Sequence, residues 1–187
     1  MLGNYHFEGH ALVSADDRIA DAGGVKPAAL NHPADWARFQ GELGKAAVIV
    51  IGRKSHAADP GRRGRRRIVM SSGARGIERR DDAWWWNPAE ASLEEALVTV
   101  APAGGLVAIP GGMAVFDYFL GVGYDAFHLA RLPGIALPGG VPVFSECADG
   151  PSSETVLGNA GLRPAEVEDL DPAVGLTVTV WRPAIAG

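Results

Sequence analysis

The chain has 187 residues, 21% charged and 47% apolar, with a net charge of −5. That is the composition of one globular domain with a real core, and its acidic balance argues against a surface built to hold nucleic acid. Its one cysteine, Cys147, excludes an internal disulfide framework and a cysteine-rich zinc site, and no apolar run approaches the roughly 20 residues of a membrane-spanning helix.

The first eight residues carry neither a basic lead nor an apolar signal core, so a cytoplasmic protein is expected. Tyr5 to Ser14 is apolar-rich and predicts a first strand, closed by a polar turn at residues 15–18. Ile19 to Leu30 holds Gly23, Gly24 and Pro27 without periodicity and predicts a mobile loop of functional length. Pro33 in a first turn, with Asn31 as a nearby cap, predicts a helix on which Trp36, Phe39 and Leu43 share a face. Asp35 lies one turn before Phe39. An acid in a first turn also favours the helix dipole, so a purely structural role competes with a chemical one.

The run 46–51 is a continuous apolar strand, of the type buried on both faces in a parallel sheet. It leads into Gly52-Arg53-Lys54-Ser55, where a glycine, two cations and a hydroxyl meet a helix start. That is chemistry for an anionic phosphate or, more blandly, a solvated basic turn. The arginine-rich run 61–67 reads better as a solvated loop than as a nucleic-acid patch. Ile68 to Ser72 predicts a strand ending in hydroxyls, and Ala83 to Trp86 a strand whose tryptophans are packing residues. Ser92 caps a helix running to Val100, with Leu93, Ala96, Leu97 and Val100 on one side.

Leu106 to Ile109 is a short buried strand, and Met113 to Leu120 an amphipathic helix. At their junction Gly111 and Gly112 let backbone amides approach a ligand, next to a helix start suited to phosphate. A tight strand-to-helix turn is the equal alternative. Ala126 to Leu132 predicts a strand, residues 145–160 an insertion with one short helix, and Leu176 to Trp181 an alternating terminal strand. Val167 to Leu170 is its expected antiparallel partner. The whole reads as a single α/β domain over residues 1–187, a mainly parallel central sheet flanked by helices, with a C-terminal antiparallel hairpin.

Residues 121–126 match a dinucleotide fingerprint in form but precede a strand instead of opening a helix. There is no Walker A sequence and no nucleophile elbow. The five histidines are scattered without paired ligand spacing, so no metal is expected.

Pro33-Ala34-Asp35 with Phe39, then residues 48–55, then Arg65 through Ser72, then Ile109-Pro110-Gly111-Gly112 resemble the successive motifs of the dihydrofolate-reductase-like superfamily. The resemblance covers about residues 9–144, each motif weak alone and the ordered set more specific. It implies an NADPH-dependent reductase of a pterin-type C=N bond, dihydrofolate first, with a riboflavin-pathway type of heterocycle as the alternative. A non-catalytic nucleotide- or RNA-binding module is a third reading. A small-molecule partner is expected, with no nucleic acid and no membrane, and the oligomeric state stays open, a homodimer included.

By the same resemblance Asp35 binds the pterin and supports its protonation, Phe39 packs on it, and Arg65 takes the folate carboxylate. Gly52, Arg53, Lys54 and Ser55 meet cofactor phosphates, and Ser71 and Ser72 join Arg53 at the 2′-phosphate. Ile109, Gly111 and Gly112, joined there by a cis peptide, and Met113, Ala114 and Val115 line the pyrophosphate. The chain departs from the family at Ala130, in place of a threonine that contacts acid and pterin, and at Ala114, in place of a phosphate-binding arginine.

Overall fold

The computed structural model describes residues 2–58, 64–80 and 83–184. Most of the arginine-rich run's leading half, residues 61–63, falls outside them. The elements, in chain order, are β1 (Tyr5–Ser14), β2 (Arg18–Ala20), α1 (Pro33–Lys45), β3 (Val48–Gly52), α2 (Arg53–Ala58), β4 (Arg67–Met70), β5 (Ile77–Arg80) and β6 (Ala83–Trp86). They continue with α3 (Leu93–Val100), β7 (Gly105–Gly111), α4 (Met113–Val122), β8 (Ala126–Leu132), β9 (Val141–Pro142), α5 (Ser153–Asn159), β10 (Leu162–Asp171) and β11 (Leu176–Pro183).

Nine strands form one sheet in the order β10-β11-β8-β1-β7-β3-β4-β6-β5. The six from β8 to β6 run parallel, and the antiparallel pairings lie at the two ends. The central strands are buried on both faces, as their unbroken apolar runs require: Val48, Ile49, Val50 and Ile51 of β3 are all inaccessible. Sequence order and spatial order differ because parallel neighbours need crossovers, supplied here by the helices.

Each helix starts where local chemistry directs. α3 has a full capping box, Ser92 accepting from the Glu95 amide while Glu95 accepts from the Ser92 amide. α1 begins at Pro33, but its cap is His32, whose Nδ1 accepts from the Ala34 amide; Asn31 does not take that role. The predicted loop 19–30 is partly ordered: β2 pairs with β9, and a 3-10 turn spans Ala28–Leu30 with Leu30 fully buried. The strand expected to reach Ser72 ends at Met70, since Ser71 and Ser72 turn away. β5, a charged edge strand, has no apolar alternation to announce it.

Residues 145–160 form a 3-10 turn and α5, tied to the β1–β2 turn by charge. Arg131 donates to Asp17 at 2.7 Å, to Glu154 at 2.6 Å and to Ser153 Oγ at 3.0 Å. Asp17 sits at φ 62°, a conformation that aspartate tolerates better than most side chains. Arg18 meanwhile donates to the Cys147 and Ala148 carbonyls. Residues 145–160, with Arg131, therefore clamp the root of the 19–30 segment.

Candidate active site

A cavity of about 760 Å³ opens on the β1–β7–β3 part of the sheet, between α1 and the start of α4. It collects Asp35, Phe39, Ala130, Gly52, Arg53, Lys54, Ser55, Gly112, Met113, Ala114 and Val115. Eleven of the sixteen residues singled out in the sequence thus share one wall system, although they come from α1, β3, α2, α4 and β8.

The cavity has two chemically different ends. At one, β3 and the β7–α4 junction approach closely. A Cβ on Gly52 would lie 3.3 Å from Val115 Cγ2 and 3.8 Å from the Gly112 amide. The Gly111–Gly112 peptide is cis, and Gly111 has φ 104°. α4 starts immediately after with no side-chain cap; the Val115 amide bonds to the Gly112 carbonyl at 2.9 Å, which leaves the Met113 and Ala114 amides for a ligand or solvent. Arg53, Lys54 and Ser55 open α2 on the same side. A Cβ on Gly112 would meet only Ile19 Cδ1 and Ser55 Oγ, each at 3.9 Å, so the glycine leaves room that a side chain would take.

The other end is built on α1. Burial pushes the Asp35 carboxyl above the ordinary aspartate range, outweighing the lowering by Lys26, Arg38 and His32. Burial likewise lowers the Lys26 ammonium, against the pull of Asp35. Trp36 and Phe39 stand 5.9 Å apart by ring centroid, and Phe39 meets His10 at 6.1 Å, so an apolar and aromatic surface adjoins the acid. Arg38 pairs with Glu168 at 2.7 Å and donates to His128 Nδ1 at 3.2 Å.

Five sequence-based assignments fall off the cavity wall. Arg65 donates to Gln40 Oε1 of α1 at 3.1 Å and lies outside the lining. Ser71 Oγ accepts from the Gly73 amide in a local turn, and Ser72 also lies outside the lining. Ile109 is fully buried in the sheet, and Gly111 contributes backbone geometry behind Gly112. The cation of this segment that does reach the cavity is Arg67, the first residue of β4, with Nη1 3.2 Å from His56 Nδ1.

Other lining residues had not been singled out: Lys26, Arg38, His10 and His128. His10 and His128 look scattered in the sequence, yet the β1–β8 register sets them directly opposite. Their signal was the pair of parallel strands, whose register a lone sequence does not contain.

No protein-family profile matches the chain, and no curated protein does. Solved structures do match. Dihydrofolate reductase from Enterococcus faecalis, complexed with NADP(H) and RAB-propyl, superposes with a TM-score of 0.65 at 15% identity, covering 95% of each chain. A putative riboflavin biosynthesis protein from Shewanella sp. PV-4 gives 0.66 at 19% identity over 95% of this chain and 98% of that one. A diaminohydroxyphosphoribosylaminopyrimidine deaminase/5-amino-6-(5-phosphoribosylamino)uracil reductase from Thermotoga maritima gives 0.63 at 17% identity, over 96% of this chain and 57% of that longer one. The chain therefore has the dihydrofolate-reductase-like fold.

Proposed function

We propose that the protein is an NADPH-dependent reductase of a cyclic C=N bond, in a pterin-type substrate and first of all dihydrofolate. The observation that supports this most is the two-ended cavity, with a glycine-rich, cationic end and a buried acid beside aromatic surface joined in one space. Its volume suits small organic ligands. The cofactor fits the first end: the room beside Gly112, the start of α4 and the Arg53–Ser55 turn suit a pyrophosphate, with Arg53 and Lys54 as counter-charges.

A bound nicotinamide supplies the hydride, which reduces the carbon of the C=N bond. The nitrogen then needs a proton. Asp35 is the cavity's best candidate to hold it, because burial favours its neutral form. Phe39 and Trp36 orient a flat heterocycle, and Ile19 and Ala20, held by the clamped β2, help to exclude water. Because the carboxyl must be protonated, turnover should fall as pH rises through its raised pKa.

The test is NADPH oxidation with dihydrofolate by the native protein and by Asp35→Asn. Turnover should fall by about 100-fold or more in the variant, in line with the loss of a general acid, while NADPH binding persists. Equal rates would remove Asp35 from the mechanism.

A second reading, reduction of a pyrimidine of the riboflavin-pathway type, is favoured by one observation. Arg65, the expected folate-carboxylate ligand, lies off the cavity, while Lys26 and Arg38 line it beside Asp35. NADPH binding without any turnover of dihydrofolate would select that reading.

A further inference from the structure

Two strands bring a second constellation to the cavity wall. Glu8 and His10 are two apart on β1 and so project from one face, and His128 on β8 is the register partner of His10. One donor atom from each lies within 4.8 Å of the others. His10 is buried and its Nε2 lacks a hydrogen-bond partner, while His128 Nε2 faces only the Glu8 carboxylate, at 3.4 Å. An inaccessible imidazole nitrogen without a partner is costly as it stands, and a ligand shared with His128 and Glu8 would relieve it.

We infer that Glu8, His10 and His128 form a binding site for a borderline divalent transition-metal ion such as Zn²⁺. Two imidazoles and one carboxylate match that class, and they leave the remaining coordination positions toward the cavity that both histidines line.

Two features set the conditions for binding. The His10 and His128 rings are stacked, 4.5 Å apart and 11° from parallel. Tetrahedral zinc with bonds of about 2.0–2.1 Å needs donors about 3.3 Å apart, so the rings must tilt toward one another on capture. Arg38 also donates to His128 Nδ1, which places the proton of a neutral His128 on Nε2, facing Glu8 Oε2 at 3.4 Å. Coordination through Nε2 moves that proton to Nδ1 and displaces Arg38, which keeps its 2.7 Å pair with Glu168. Arg38 therefore competes with the metal.

The site depends only on the pairing of β1 with β8, so it stands or falls separately from the reductase reading. Metal-free protein would be titrated with ZnCl₂ by calorimetry, and with Co²⁺ for its d–d spectrum. The expected result is one ion per chain, with affinity reduced more than about 10-fold in both Glu8→Gln and His10→Asn. Arg38→Leu should bind more tightly than the native chain. Circular dichroism would confirm folding, and Glu8→Gln carries the test if His10→Asn does not fold, since Glu8 is partly exposed. Zinc uptake unchanged in Glu8→Gln, or no one-to-one binding in either the native chain or Arg38→Leu, would overturn the site.

Discussion

Asp35 is a carboxylate whose ionisation the fold opposes, even with Lys26, Arg38 and His32 nearby. Its folded pKa lies above the unfolded one, so between the two the native state holds more protons and stability falls as pH rises. Asp35→Asn removes that penalty. It should therefore melt at a higher temperature than the native chain near about pH 7, an advantage that fades near about pH 3, where the Asp35 carboxyl is largely neutral in the folded and unfolded chain alike. Thermal melts at the two pH values check this. The cations divide differently: Arg67→Ala should weaken binding of an anionic cavity ligand, by about 10-fold for one charged contact, whereas Arg65→Ala should leave it within about twofold. Equilibrium titration with NADPH and with dihydrofolate distinguishes the two. Asp35 and Phe39 could be singled out because helical spacing relates them along a single element. Lys26, Arg38 and His128 could not, because they meet through a loop, a helix and a strand far apart in sequence.

The β7–α4 junction shows what two adjacent glycines do separately. Gly111 combines φ 104° with a hypothetical Cβ only 2.7 Å from the Phe116 ring. Gly111→Ala should cost stability by about 1–3 kcal/mol or more, from backbone strain and the clash together. Gly112→Ala meets nothing closer than 3.9 Å and should fold normally, yet lose NADPH affinity because its methyl enters the cavity. Denaturant melts and NADPH titration of both variants test the division. Elements of this kind were readable where periodicity and punctuation agree: β1, β6 and β8 have their predicted bounds, and α3 keeps its predicted cap. β5 and most of β10 were not, because an edge strand with exposed charged residues lacks the apolar alternation that marks a half-buried one.

One continuous nine-stranded sheet runs through the described residues, and we propose that the chain unfolds as a single unit. Unfolding in urea should then follow one transition, with tryptophan fluorescence and far-ultraviolet circular dichroism coinciding; separated midpoints would divide the chain. The α/β class was legible from alternating strand and helix patterns, but the strand order was not, since crossovers leave no local trace. The placing of the expected β10–β11 hairpin, with β11 against β8, is the clearest case. β11 contributes Val178 to the cavity and packs on β8, while β10 holds α1 through Glu168 to Arg38 and Asp171 to His32 at 3.3 Å. The helix bearing the acid is thus fastened by residues that lie more than 120 positions after it in the chain. During synthesis, β1, β3 and β7 can assemble while α1 still lacks its anchor, so the cavity closes only after the hairpin emerges. A nascent chain stalled before residue 162 would present the central sheet with an unfinished acid end, completed only once β10 and β11 have emerged.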